Sequence, residues 1–421
     1  MTNPTEEAVR AEIRAWLEAT WDPNLGLIEW REKLVDAGWG APTWPKAFYG
    51  RELEPALAAV VEAEMRQVGA IGAARSGVRN LAIQTLLAHG TDDQKRKFLR
   101  GALTGQDSWC QLFSEPGSGS DLAGAVTRAD LKDGRWVVNG QKVWTTSAHH
   151  ADWGLLLART DWDAPKHQGL SYFLIDMHQP GVEVRPLRQM NGHASFNQVF
   201  FTDADVAPEH LIGELGGGWA VANTTLMHER RGGDGTIARV EAASERQGRV
   251  YDEERAEAAV AMEPYKWYPQ RAGRVDLVVE RARETGKLSD PVVRQEIAKL
   301  LILARTAEWT ARRARAAMAQ GQPPGPEGSL GKLVASHVAR AAARVHTLIS
   351  GTDAMLSGED APLDGVIAEV LISVPAVSIA GGTDEIQRNI IAERVLRMPK
   401  EPGFDADRPF RDVPKNQPRP A

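Results

Sequence analysis

The sequence predicts an α+β fold in which helices, then a β domain, then helices again follow one another along 421 residues. Three observations carry that prediction. Apolar residues recur at helical spacing over the first hundred positions, the texture turns to short strand-like runs between Ser108 and Gly213, and the helical period returns after Gly216-Gly217-Gly218. Strands do not alternate with helices, which argues against a βαβ sheet. The expected layout is an N-terminal helical domain over 1–107, a middle β-barrel-like domain over 108–213, a C-terminal helical bundle over 214–398 and a proline-spotted tail over 399–421.

In chain order, Thr5 to about Thr20 predicts an amphipathic helix, with Val9, Ile13, Trp16 and Leu17 on one stripe. Pro55 to Val68 and Val78 to His89 predict two more. Thr91-Asp92-Asp93-Gln94 has the form of a capping box and starts a helix to about Gly101. In the middle region Asn139-Gly140 sits between two strand-like runs, Arg135–Val138 and Gln141–Ser147, and predicts a hairpin turn there. Trp153–Ala158, Leu170–Ile175, Val182–Pro186 and Gln198–Thr202 are further strand candidates. Trp219 to Arg231 predicts a helix stopped by Gly232, Gly233 and Gly235, and Asp290-Pro291 opens a long one to about Met318. Gln320 to Gly328 is a Pro/Gly loop, Leu330 to Ile349 carries the stripe Leu330, Val334, Val338, Ala341, Val345 and Leu348, and Thr383 to Leu396 is the last helix.

Composition narrows the class. Net charge is −6, from 50 basic and 56 acidic residues, which argues against nucleic acid or an anionic membrane as main partner. One cysteine, Cys110, leaves no intrachain disulfide and suits a reducing compartment. There is no apolar run near the roughly 20 residues that span a bilayer, and Glu6, Glu7 and Glu12 are unlike a signal peptide. The expectation is a cytoplasmic protein.

Chemistry concentrates at Phe113-Ser114-Glu115-Pro116-Gly117-Ser118-Gly119-Ser120-Asp121, an apolar run ending in a turn of glycines and hydroxyls. Glycine lets backbone approach a ligand, and serine supplies donors without bulk. The stretch lacks the third glycine of a dinucleotide fingerprint, and its glycines are too close for a Gly-x-Ser-x-Gly nucleophile. His228-Glu229 is followed by Arg230-Arg231, so no His-Glu-x-x-His zinc motif forms, and His149-His150 reads as surface.

Four stretches in order carry a resemblance: Phe113 to Asp121; Lys142-Val143-Trp144-Thr145-Thr146; Leu226-Met227-His228-Glu229-Arg230; and Gly382-Thr383-Asp384-Glu385-Ile386-Gln387-Arg388-Asn389-Ile390-Ile391. Together they resemble the acyl-CoA dehydrogenases, FAD enzymes that introduce a double bond between Cα and Cβ of an acyl-CoA thioester. The resemblance covers essentially the whole chain. It implies that Phe113 and Ser114 line the isoalloxazine, that Trp144 packs on it, that Thr146 bonds near N5, and that Ser120 faces the CoA phosphates. Thr383 and Glu385 match adenosine-side positions, and Arg283 stands where an Arg-x-x-Phe-Gly stretch is reduced to Arg283-Glu284-Thr285-Gly286. A Gln-x-x-Gly-Gly-x-Gly stretch survives only as Gly351, Met355 and Gly358.

The family's base is most often a Glu directly before the Gly-Thr of the last motif, where this chain has Gly381. In a minority, resembling isovaleryl-CoA, long-chain and actinobacterial steroid-side-chain members, the base is on another helix directly before an Arg. Glu229-Arg230 matches that pattern, which implies Glu229 as base and Arg230 beside it, near substrate. Gly381 keeps a backbone N–H for the thioester oxygen. The resemblance further implies hydride transfer from Cβ to FAD, an electron-transferring flavoprotein as acceptor, and a homo- or hetero-oligomer built as a dimer of dimers. Two alternatives share the pattern: a non-catalytic scaffold subunit of a heterotetramer, and an acyl-CoA oxidase. The segment between Glu229 and Arg283 looks longer than in the family, and its Tyr265-Lys266-Trp267-Tyr268-Pro269 predicts an ordered contact at the substrate mouth or between subunits.

Overall fold

Thr5 and Thr91 start two of the five N-terminal helices with the same chemistry, a hydroxyl accepting an orphan backbone N–H. The computed structural model describes residues 4–231, 245–319, 325, 328–400, 402–403, 405 and 407–414. Helix α1 (Glu6–Thr20) buries Val9, Ile13 and Leu17, as its stripe predicts. A second helix, α2 (Leu27–Asp36), was not anticipated; α3 (Pro55–Val68) and α4 (Gly77–His89) were. The Thr91–Gln94 capping box is present in both directions, and α5 (Asp92–Thr104) runs one turn past the expected Gly101, ending at the left-handed Gly105.

Eight strands then form one sheet: β1 (Trp109–Leu112), β2 (Arg128–Lys132), β3 (Arg135–Thr146), β4 (Trp153–Arg159), β5 (Leu170–Asp176), β6 (Val182–Leu187), β7 (Phe196–Val206) and β8 (Leu211–Ile212). The order is β6-β7-β3-β2-β4-β5-β8, with β1 paired parallel to β4. Strands β4 and β5 are covered on both faces. Leu155, Leu157, Tyr172 and Leu174 join a core with the N-terminal helices, while Leu156, Ala158, Phe173 and Ile175 join a second core with Cys110, Val199 and Phe201. Each buried Leu, Ile, Val or Phe among them contributes about 1.5–3 kcal/mol, and the two-sided covering explains runs without polar alternation.

The expected turn at Asn139-Gly140 is overturned. Both residues lie inside β3, and the hairpin turns instead at Asp133 (φ 49°) and Gly134 (φ 79°), a left-handed pair of the type that joins twisted strands. Gly140 marks a bulge against β7: a Cβ there would come within 2.6 Å of Thr127 Oγ1. The Asn139 carboxamide bonds the Asp203 carboxylate at 2.9 Å across the ladder.

Helix α6 (Gly218–Arg231) follows the sheet; the expected stop at Gly232, Gly233 and Gly235 lies outside the described residues. Helix α7 (Arg249–Met262) falls in the segment read as an insertion, and it packs on the N-terminal helices. The Glu253 carboxylate accepts from the first backbone N–H of α2, at Leu27, at 2.7 Å; Tyr251 donates to the Gly69 carbonyl at 2.8 Å; and Glu257 pairs with Arg31 at 2.7 Å and Arg79 at 3.0 Å.

The described residues divide into two compact units, one drawn from Met1–Leu187, Ser195–Pro264 and Phe404–Ala421, the other from Arg188–Ala194 and Tyr265–Gly403. The second is helical: α8 (Tyr268–Arg271), α9 (Val278–Glu284), α10 (Pro291–Ala319), α11 (Gly328–Ser350), α12 (Val366–Ser373) and α13 (Asp384–Ile390). Asp290 accepts from the Val292 N–H at 2.8 Å, so Asp-Pro starts α10 as its sequence predicts. The expected stripe on α11 is off by about one position. Ser336, Ala339, Ala342, Val345, His346 and Ile349 are buried, and Leu348 is exposed. Small residues win this face because Gly273 packs against it: a Cβ on Gly273 would sit 2.9 Å from Ala339 Cα. Trp267, from the aromatic stretch read as an ordered contact, is 2% exposed and stacks on His193 within this unit. Among the described residues no helix is long and apolar enough to cross a membrane. The α+β class, with helical ends and a central sheet, stands as the sequence predicts.

Candidate functional site

The glycine- and serine-rich turn is held from beneath by a buried ion pair. Glu115 meets Lys142 at 2.8 Å, and their side chains are 1% and 0% exposed. The carboxylate also accepts from the backbone N–H groups of Val126 (2.7 Å) and Thr127 (2.9 Å), while the ammonium donates to the Phe113 carbonyl at 3.0 Å. Burial pushes the Glu115 carboxyl up, but the Lys142 charge and these donors hold it below its ordinary value. Arg159 lies in the same interior, its guanidinium donating to the carbonyls of Ala123 and Ala125 and stacked over Phe410, and burial pulls its pKa down to about 10. Ser118 is buried within the turn and donates to the Asp121 carbonyl, whereas Ser120 is exposed at the rim.

Lys142 sits on β3 two residues before Trp144, so the same ion pair ties the turn to the second motif. The backbone agrees: the Val143 N–H donates to the Ser114 carbonyl at 2.8 Å. Trp144 takes a left-handed φ of 61° and is 56% exposed, braced edge-on by Phe196 at 5.8 Å. A non-glycine residue in that conformation is strained, and such strain gathers at ligand sites. It fits a flat aromatic ligand stacked on the indole. Thr146 and Ser114 are half-buried on either side of this pairing, and Phe113 is buried against Tyr172, ring centroids 5.9 Å apart at 90°. An apolar wall with a few hydroxyl and backbone donors suits an isoalloxazine ring.

Glu229 is on the last turn of α6, its carboxylate exposed and accepting from the Gln111 carboxamide at 3.2 Å. Gln111 is on β1, two residues before Phe113, so the candidate base is reached from the strand that leads into the turn. Sequence reading passed over Gln111, Glu115, Lys142 and Arg159 as site residues. A signal existed for the acid and base, since an ionisable residue in each of two otherwise apolar or small-residue stretches points to a buried pair. The side chain of Arg230 lies outside the described residues.

The second unit presents the last motif. Gly381 (φ 67°) and Gly382 (φ 85°) are both left-handed, and space beside Gly381 is open where a side chain would stand. The Gln387 carboxamide donates to the carbonyls of Gly381 (3.1 Å) and Gly382 (3.4 Å), which fixes the orientation of those peptides. Thr383 caps α13, accepting from the Ile386 N–H at 3.3 Å. Asp384 is buried beside Lys332 (3.4 Å) and Arg340 (3.3 Å). Glu385 and Arg283 are exposed, each paired within its own helix, to Arg388 at 3.4 Å and to Glu280. Gly351 (φ 59°) and Gly358 (φ 95°) have open space beside them, and Met355 is exposed. Among the described residues no cluster of His, Cys, Asp and Glu could hold a metal.

Comparison with known proteins places this geometry. Residues 3–106, 110–204 and 271–396 match the N-terminal, middle and C-terminal domains of acyl-CoA dehydrogenase. The chain is 33% identical to the acyl-CoA dehydrogenase IpdE1 of Mycobacterium tuberculosis, over 94% of this chain and 98% of that one. It is 35% identical to the acyl-CoA dehydrogenase FadE34 of the same organism over 87% of this chain, but spans only about half of that protein, 46%. Among solved structures, the Tcur3481-Tcur3483 steroid ACAD superimposes with a TM-score of 0.63 at 25% identity, over 94% of this chain and 98% of that one. With matching domains in the same order and full-length relatives above 30% identity, the chain belongs to the acyl-CoA dehydrogenase family.

Proposed function

We propose that the chain is a FAD-dependent acyl-CoA dehydrogenase in which Glu229 removes the Cα proton of an acyl-CoA thioester. One observation carries the reading: the Glu229 carboxylate is hydrogen-bonded to Gln111, on the strand that runs into the Phe113–Ser114 wall. A base and a ring-binding wall thus meet in one unit. FAD, when bound, would supply the hydride acceptor for the substrate's Cβ. Trp144 and Phe113 supply the ring's apolar contacts, and Ser114 and Thr146 supply hydroxyl donors at its polar edge. The Gly381 N–H is the proposed donor to the thioester oxygen, where negative charge develops as the proton leaves. Arg230 is assigned to the base's charge state, Ser120 to the CoA phosphates, and Arg283, Thr383 and Glu385 to the adenosine side.

The absence of a side chain at Gly381 and the similarity to a steroid ACAD support a branched or polycyclic acyl group as substrate. Exposed Val292, Ile302 and Trp309 on α10 support assembly through that helix into an oligomer, a dimer of dimers. The acceptor assigned is an electron-transferring flavoprotein. Anaerobic titration of the purified chain with a panel of CoA thioesters tests the whole reading. A yellow protein whose flavin absorbance bleaches with one of them supports it. A colourless protein points to a scaffold subunit, and oxygen consumption without an added carrier points to an oxidase.

A further inference from the structure

We propose that Thr225 is a positioning residue that sets where Glu229 stands over the substrate, through a buried three-hydroxyl node; this rests on Glu229 being the base. Thr225 lies one turn before Glu229 on α6, so the two share a helix face, and a shift at one is transmitted along rigid backbone to the other. Its side chain is fully buried and its hydroxyl has three partners: it donates to the Val221 carbonyl at 3.2 Å, and stands 2.8 Å from Thr85 Oγ1 and 3.1 Å from the Tyr172 hydroxyl. With its one proton given to Val221, it accepts from both others, which fills the one-donor, two-acceptor capacity of a hydroxyl.

The partners come from different elements. Thr85 belongs to α4 and Tyr172 to β5, and both are at most 1% exposed. A neighbouring bond repeats the α4–α6 tie, His89 to the Thr224 hydroxyl at 2.8 Å. Tyr172 does more than anchor the helix, because its ring meets Phe113 edge-on in the flavin wall. One hydroxyl therefore fixes the helix that carries the base relative to the residue that backs the ring. Apolar packing alone would hold α6 near the sheet, but it is non-directional and leaves axial sliding and rotation open. A three-way hydrogen-bonded node in a dry interior does not.

The test compares Thr225→Val, Thr225→Ser, Tyr172→Phe and Glu229→Gln as FAD-loaded proteins. It reads flavin content, the rate of flavin bleaching by a thioester that bleaches the native enzyme, and KM. Valine keeps the shape and strands two buried donors. The expectation is unchanged flavin content, KM within about twofold, and a bleaching rate down on the order of tenfold, since sub-ångström to ångström misplacement of a reacting group costs up to about a hundredfold. Serine restores the rate. Should the valine variant not fold, Tyr172→Phe keeps the ring on Phe113, removes one donor, and is expected to slow bleaching by a smaller factor. Native bleaching rates in whichever of the two folds, with only thermal stability altered, overturn the proposal. If Glu229→Gln abolishes bleaching while those variants are native-like, the positioning role alone fails; if Glu229→Gln bleaches normally, the base assignment fails and this proposal with it.

Discussion

Replacing Lys142 by Met removes the cation from a site where its side chain is 0% exposed and leaves Glu115, 1% exposed, with two backbone donors and no charge in direct contact, the Arg159 guanidinium acting on it only through space. Methionine matches the aliphatic stem, so little cavity forms, and the cost is chiefly that of a buried carboxylate that has lost its paired cation. Breaking a buried pair from one side costs about 3–5 kcal/mol. The bonds from Val126 and Thr127 survive, which puts the expected loss toward the lower end, about 3 kcal/mol. Urea denaturation of the native protein, Lys142→Met, Glu115→Gln and the double variant completes a thermodynamic cycle. The double variant, with neither charge, should recover at least about 1 kcal/mol relative to the sum of the singles. Flavin content should fall in Lys142→Met, because the pair joins the Ser114 turn to the Trp144 strand. A single-variant loss under about 0.5 kcal/mol, the size typical of a surface substitution, would refute the reasoning.

Other expectations follow from the same geometry. Gly140→Ala should destabilise by about 1–3 kcal/mol, because its Cβ meets Thr127, whereas Gly134→Ala, with open space, costs only the left-handed strain of about 1 kcal/mol; unfolding midpoints compare them directly. The Glu115 carboxyl is held below its ordinary 4.5 in the folded state, so the stability it contributes is complete above the unfolded value and is lost as pH falls through the folded one. Acid unfolding of Glu115→Gln should accordingly be less steep below about pH 4.5. Trp144→Ala should leave the apoprotein as stable as the native one, since the indole is 56% exposed, yet weaken FAD retention on gel filtration.

Legibility followed how local the determining physics was. Helix starts at Thr5, Thr91, Asp290 and Thr383 were readable because caps act within four residues. The hairpin was not, because Asp133-Gly134 and Asn139-Gly140 give the same local signal six residues apart, and only Thr127, packed under Gly140, decides between them. The α11 stripe was right at Val345 and displaced elsewhere for a similar reason: hydrophobicity favours Val334 and Leu348, but the close approach of Gly273 selects Ala339 and Ala342. At the site, the ring-facing motifs stood out as motifs. Gln111 emerges only when β1 meets α6, and the Glu115–Lys142 pair only when the turn after β1 meets β3. Helix α7 shows the same limit, since the reason it forms, Glu253 and Glu257 meeting Leu27, Arg31 and Arg79, lies more than 150 residues away.

On the proposed mechanism the Cα proton passes to Glu229. Glu229→Gln keeps the size of the side chain and its contact with Gln111 while removing the basicity, so it separates binding from chemistry. Stopped-flow absorbance at the flavin band, with a CoA thioester that bleaches the native enzyme, is the direct measurement. The expected variant is yellow, still binds the thioester as seen by a shift of the flavin spectrum, and bleaches at least about a thousandfold more slowly. Bleaching at the native rate would contradict it and send the search for the base elsewhere in the chain.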